Sequence, residues 1–297
     1  MDIGLLSVSN SVYSTQRIAE EAKNLGHYIE QIDHTQCSVK LGGPKPEIYL
    51  REENITNEFD AIIPRIGAKV TRHGVAIVKQ FEINGVFSAA RSLSIARARN
   101  KVRTLQIMSQ KGIPVPETLF SINPHNIEEQ IEILGGTPVI IKIQEGTHGL
   151  GVILAESKKS AKSIIDTFYK MDTSILLQKY IEESNGEDIR ILVVGDKIVA
   201  SMKRTSALEE FRSNVHRGGT TEKVKLSKKE KEIALGAAKH IGLGVAGIDL
   251  IRSKKGPLLI EVNASPGLRG IEAATGVNVA KEIILYLERN CSKRRWK

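Results

Sequence analysis

GIDLIRSKKGPLLIEVNASPG, from Gly247 to Gly267, is the stretch on which the reading of this 297-residue chain turns. Two apolar runs, Val245 to Ile251 and Leu258 to Val262, flank Ser253-Lys254-Lys255-Gly256-Pro257, where Gly256 suits the left-handed position of a three-residue hairpin loop. If Ser253 and Pro257 close that loop, Asp249 stands directly opposite Glu261, and the two-residue period of a strand puts Asn263 on the same face. Like charges opposed inside apolar strands repel unless a cation lies between them. Two carboxylates and an amide oxygen are hard ligands that suit Mg²⁺ better than Zn²⁺. Magnesium held by so few protein groups shares its other positions with water and nucleotide phosphates, so the hairpin predicts a nucleotide. The competing reading is a solvated hairpin with acids on its wet face.

Outward from the hairpin, the length predicts two or three domains. A hydrophobic content of 41% with 26% charged residues describes a soluble globular protein. No apolar run would span a bilayer, and MDIGLLSVSN lacks the basic region and cleavage site of a signal peptide, so the expected compartment is the cytoplasm and no membrane is involved. Cys37 and Cys291 are expected as reduced thiols without a role. A net charge of +9 calls for an anionic partner, nucleic acid, nucleotide or acidic peptide. Aromatic residues at 4% leave little for base stacking, which argues against direct nucleic-acid binding.

The chain opens β-α-β, with strands Ile3 to Val8 and His27 to Ile32 around a helix Thr15 to Leu25, predicting a parallel sheet. Cys37 to Glu58 reads as a loop with a short extended piece. A third strand, Asp60 to Ile63, runs into Arg65, a candidate anion contact beyond its carboxyl end. One long helix, Ser94 to Lys111, carries Arg97, Arg99, Lys101 and Arg103 at alternate positions, most of them read as solvated charges. Lys142 is a lone cation in an apolar strand, Val139 to Ile143, and the glycine-rich turn Glu145 to Gly151 after it is expected to be a flap against phosphate. Asp188 and Arg190 share a strand face and read as a local ion pair, and Lys203 to Gly219 reads as a basic anion-binding loop. Ser227 and Glu230 form a capping box for a helix that stops at Gly242.

Taken in order, VIIKIQEGTHGLGV, ILLQKYIEE, DIRILVVGDKIVASMKR, FRSNVHRGG and EVNASPG resemble the ATP-grasp superfamily, and within it the RimK family of α-L-glutamate ligases. The resemblance implies an α/β (α+β) fold in three parts. These are an N-terminal parallel α/β pre-ATP-grasp domain (1–95), a central subdomain with the flap (96–177) and a C-terminal subdomain with the metal site (178–291), before a basic tail (292–297). It implies that Asp249, Glu261 and Asn263 bind Mg²⁺ or Mn²⁺, with two ions expected. By the same resemblance Lys101 and Lys142 meet the nucleotide phosphates, Gln178, Lys179, Tyr180 and Ile181 line adenine, and Asp188 lies close to the nucleotide. Arg212, Ser213 and Asn214 lie near the transferred phosphate, with Arg212 and Lys142 serving catalysis. The side chains of His148 and Lys179 receive no chemical role. Arg65, Arg204 and Arg217 are expected as carboxylate clamps.

The activity implied is ATP-dependent addition of L-glutamate through an acyl phosphate, to the carboxyl end of an acidic peptide or a protein such as ribosomal protein S6, or to growing poly-α-glutamate. A homo-oligomer, a tetramer, is implied too. The rivals are a ligase acting on a cofactor or an amino-group carrier protein, a nucleotide-binding regulator without catalysis, and an RNA- or ribosome-binding protein, which would show steep salt dependence.

Overall fold

The structure, a computed structural model, describes residues 1–121, 126–144, 151–206 and 219–291. Its first unit is a sheet of four parallel strands in the order β2-β1-β6-β7: β1 (Asp2–Leu6), β2 (Tyr28–Ile32), β6 (Ala61–Pro64) and β7 (Phe87–Ser88). Helices α1 (Tyr13–Asn24) and α2 (Thr71–Ile83) connect them, as the alternating pattern predicts. Arg65 is the first residue beyond β6, its amide still bonded to the Leu6 carbonyl at 2.8 Å. Where a loop is expected, Cys37 to Glu58 contains a small antiparallel sheet of β3 (Cys37–Lys40), β4 (Glu47–Leu50) and β5 (Glu53–Asn54). Its apolar anchor is Ile48, fully buried, and the strands are too short for alternation to stand out.

The expected single helix is two, α3 (Ser92–Arg99) and α4 (Lys101–Gln110). Asn100 between them is extended (φ −100°, ψ 105°), and its Oδ1 accepts the Arg103 amide at 2.9 Å. Asparagine is a strong N-cap, and here it starts a second helix inside the run.

The central sheet, β10-β9-β11-β8, is antiparallel: β8 (Thr118–Ser121), β9 (Val139–Ile143), β10 (Val152–Ala155) and β11 (Ile175–Lys179). Val139, Ile141, Ile175 and Leu177 face a core shared with α5 (Ile127–Ile133) and α6 (Lys158–Lys170). Alternation therefore turns Lys142 and Gln178 to the opposite face.

The third large sheet, β14-β13-β12-β15-β16, contains β12 (Glu187–Val194), β13 (Lys197–Thr205), β14 (Thr220–Lys223), β15 (Val245–Ser253) and β16 (Gly256–Asn263). Helix α7 (Lys228–Ile241) carries the predicted capping box, Ser227 with Glu230, and ends at Gly242 with φ 88°. Two helices close the chain: α8 (Arg269–Thr275), which the sequence reading does not anticipate, and α9 (Val279–Cys291).

The hydrophobic clusters explain how these units assemble. Ile189, Ile191 and Ile248 share one with α7, Met108 of α4, and Ile62 and Ile95 of the N-terminal part. Leu192, Val194, Ala200 and Met202, on the other face of the sheet, share a second with Ile3 and Ile18 near the amino terminus and with Ile283 and Leu287 of α9. The central sheet and its helices have a third to themselves. The first and last units are thus one body, and the central unit is a separate lobe.

Candidate active site

Along β12, the second face of the C-terminal sheet is apolar at Leu192 and Val194 and charged at Asp188 and Arg190. Asp249 pairs directly with Glu261 across β15 and β16, and Gly247 with Asn263, which puts the three predicted ligands on one face. The loop differs from the expected one. Ser253 pairs with Gly256, so only Lys254 and Lys255 form the turn, and a bulge between Asp249 and Leu250 restores the register toward Asn263.

Asp249, 4% exposed, is held by two arginines. Arg190 lies opposite it on β12 and grips it with both Nε and Nη2, the latter at 2.6 Å. Arg204 reaches the same carboxylate with Nη2 at 3.2 Å while its main partner is Asp188, its cross-strand neighbour, with Nε at 2.6 Å. Asp188 and Arg190 therefore do not pair with each other as expected; the strand register gives each a partner across the ladder. Burial disfavours the Asp249 charge, but Arg190 and Arg204 outweigh it and hold the carboxyl below its usual range. Burial likewise opposes the Arg204 charge, and Asp249 and Asp188 more than offset it, raising its pKa.

Glu261 is different. Among the described residues its carboxylate has neither a hydrogen bond nor an ion pair, and Arg99 and Lys142 lie close enough to feel its charge. Asn263 Nδ2 approaches Asp249 Oδ2 at 3.4 Å. No three His, Cys, Asp or Glu side chains converge among the described residues, so a cation here takes two carboxylates and one amide oxygen and needs outside oxygens for the rest. That donor set fits Mg²⁺ arriving with a phosphate ligand.

Across the cleft, Lys142 donates to Gln178 Oε1 at 2.7 Å, and Gln178 Nε2 donates to Thr118 Oγ1 at 2.8 Å. Burial pushes the Lys142 ammonium down to about 8, with Glu261 opposing the shift and Lys101, the first residue of α4, adding to it. Lys179 sits at the end of β11 beside Glu117, with Tyr180 and Ile181 following. Arg65 donates to the Pro266 carbonyl at 2.8 Å, which brings it to the loop that leaves β16. Arg212, Ser213, Asn214 and Arg217, and the flap residues 145–150 with His148, lie outside the described residues.

Two residues escaped the sequence reading. Arg190 became important only through its register with Asp249, a non-local fact. Arg99 looked solvated in an alternating run, yet its Nη2 donates to the Ile66 carbonyl and its Nε is buried. Gly247 leaves the space that Pro266 fills: a Cβ there would meet Pro266 Cβ at 2.8 Å and Asn263 Cβ at 3.4 Å.

Residues 1–95 match the RimK pre-ATP-grasp domain and residues 98–287 the RimK-like ATP-grasp domain. Over 297 residues the chain is 48% identical to a probable alpha-L-glutamate ligase of Vibrio cholerae, covering 100% of this chain and 98% of that one. A RimK domain ATP-grasp protein from Sphaerobacter thermophilus has a similar structure, with a TM-score of 0.75 at 20% identity over 96% of this chain and 99% of that one. The ATP-grasp ligase PsnB, complexed with a minimal precursor, Mg and ADP, gives 0.73 at 19% identity over 97% and 98%. The two structures establish the fold as ATP-grasp.

Proposed function

The chain belongs to the RimK-like ATP-grasp family, an enzyme family of ligases, and on that premise we propose that it adds L-glutamate by α-peptide bonds to the C-terminal carboxylate of a peptide or protein. The acceptor is an acidic peptide, the tail of a protein resembling ribosomal protein S6, or poly-α-glutamate itself. The observation that carries the reading is the carboxylate of Glu261, without a hydrogen bond or ion pair among the described residues, facing Asp249, with Lys142 on the opposing lobe. ATP and Mg²⁺ are the cofactors, with Mn²⁺ as a substitute and two ions part of the proposal.

A carboxylate does not react with an amine near neutral pH, because oxide would have to leave. Phosphorylation supplies a better leaving group: an acceptor carboxylate oxygen attacks the γ-phosphorus of ATP, ADP departs, and an acyl phosphate results. The amine of glutamate then attacks the acyl carbon, phosphate departs, and one proton is released. A divalent ion held by Asp249, Glu261 and Asn263 would supply charge neutralisation and orientation of the phosphates.

The protein's own groups do the rest. Lys142, already charged and desolvated, neutralises phosphate oxygens, with Lys101 beside it. Arg190 and Arg204 keep Asp249 ionised and fixed in place. Gln178 orients Lys142 and, with Lys179, Tyr180 and Ile181, borders the adenine; Asp188 holds Arg204. Arg212, Ser213 and Asn214 are proposed at the transferred phosphate, and Arg65, Arg204 and Arg217 at carboxylates. Residues 146–151 exclude water from the acyl phosphate. Work in the cytoplasm and a homo-oligomeric state, a tetramer, complete the proposal; among the described residues no helix is long and apolar enough to cross a membrane.

The test is ADP release from Mg-ATP with glutamate present, followed by mass spectrometry of the products, for the wild type and Glu261→Ala. A ladder of glutamyl masses that vanishes in the variant is the expected result. Absence of ADP with glutamate, other amino acids and an S6-type peptide would overturn the ligase reading. ADP formed only with a cofactor or carrier-protein acceptor would replace the peptide.

A further inference from the structure

Arg65 and Arg99 meet where the N-terminal sheet adjoins the loop leaving β16, and among the described residues neither makes an ion pair or a hydrogen bond to a carboxylate. Arg65 Nη2 donates to the carbonyl of Pro266, three residues past Asn263, at 2.8 Å. Arg99, in the last turn of α3, donates through Nη2 to the carbonyl of Ile66, the residue next to Arg65. Its Nε is buried with no partner. A guanidinium offers five N–H donors, and each of these two spends its charge on a single backbone carbonyl. Burial disfavours both charges, pushing Arg65 down to about 10 with Arg99 adding to the effect, and lowering Arg99 against the pull of Glu261. Two partly buried cations side by side are costly unless an anion comes to them. The other arginines of this face, Arg190 and Arg204, are already engaged with Asp249 and Asp188.

We propose that Arg65 and Arg99 together form a carboxylate-binding subsite, built by the N-terminal part of the chain, that takes an unreacting carboxylate of the amino-acid substrate. The planar forks of two guanidinium groups suit a carboxylate, and the phosphate-facing cations, Lys142 and Lys101, approach from the central lobe and from α4. The inference rests on the glutamate-ligase reading and deepens the clamp proposed at Arg65, which acts together with Arg99.

The experiment is calorimetric titration of the full chain, loaded with Mg²⁺ and a non-hydrolysable ATP analogue, with L-glutamate, with glutarate and with inorganic phosphate. Arg65→Gln and Arg99→Gln should each raise the Kd for glutamate and glutarate roughly 10- to 100-fold, the loss of a charge-assisted contact, and leave the Kd for the nucleotide within about threefold. Arg99→Lys keeps the charge, so it should retain part of the affinity at an unchanged thermal midpoint, which separates ligand loss from unfolding. Unchanged glutamate affinity in both Gln variants would overturn the subsite while leaving the ligase reading intact. A parallel loss of nucleotide or phosphate affinity would reassign the pair to phosphate and overturn it as well. A wild type that binds nucleotide but no glutamate would refute both readings together.

Discussion

Lys142→Met should make the nucleotide-free protein more stable at pH 7 while weakening nucleotide binding. Burial is the first cause of the drop in the Lys142 pKa from 10.5 to about 8. At about 1.4 kcal/mol for each pH unit, the folded state at pH 7 carries a penalty of roughly 3 kcal/mol for keeping the ammonium charged. Methionine removes that penalty and fills similar volume. It also leaves Oε1 of Gln178, a side chain 4% exposed, without its 2.7 Å donor, at a cost of about 1–3 kcal/mol. The balance at pH 7 is a gain of roughly 1 kcal/mol. Because the folded pKa lies below the unfolded one, the unfolded chain binds more protons between about 8 and 10.5, so wild-type stability rises with pH there. Methionine has no such dependence. Its advantage should therefore shrink by roughly 2 kcal/mol between pH 7 and 9.5, a value that does not depend on what the Gln178 bond is worth. Urea unfolding of both proteins at the two pH values measures it. A difference that stays constant with pH would refute the desolvation argument. Affinity for Mg-ATP should fall about 10- to 100-fold in the same variant.

Arg190→Met should destabilise the fold by about 3 kcal/mol, because it strips one of two cations from a buried carboxylate; urea unfolding tests it, and a neutral result would mean Arg204 suffices. Gly247→Ala should cost about 1–3 kcal/mol and weaken Mn²⁺ binding followed by paramagnetic resonance, since the new methyl collides with Pro266 and sits against Asn263. Glu230→Ala should lower stability by about 1–2 kcal/mol at pH 7, through loss of the cap and of Arg252, without changing nucleotide affinity. The Glu230 carboxyl sits below its usual range because Arg252 and the Ser227 amide outweigh its burial, so the stability it gives is present at neutral pH and lost as pH falls through that lowered pKa; the difference between wild type and variant should close in acid.

What was legible in the sequence was whatever local periodicity records. The hairpin placed Asp249 opposite Glu261 although the turn is one residue shorter than expected, because the bulge before Leu250 returns the missing residue. A short turn and a bulge leave no separate mark in an apolar pattern, so two departures cancelled. The capping box of α7 rested on residue types that act within a few positions, and it stands in the structure. Asn100 carries the same kind of signal, but it lay inside a run that kept helical composition on both sides, and its capping role became visible only with the Arg103 bond. The partners of Asp188 and Arg190 depend on which strands neighbour β12, and Arg99 turns inward only because Ile66 waits there; spacing along one segment records neither.

The cluster that joins α1 to α9 has a consequence for how the protein is made. Ile18 and Ala22 are sealed by Ile283, Ile284 and Leu287, and Tyr13, Ser14 and His27 bond to Glu272, Leu268 and Glu288. Helix α1 is thus covered by α9, which is synthesised well after it. At ordinary translation speeds the interval is some tens of seconds, roughly, during which the nascent amino-terminal sheet presents a greasy flank to the cell. A chain broken off ahead of α9 leaves that flank uncovered, so the amino-terminal sheet depends on a distant helix for part of its core.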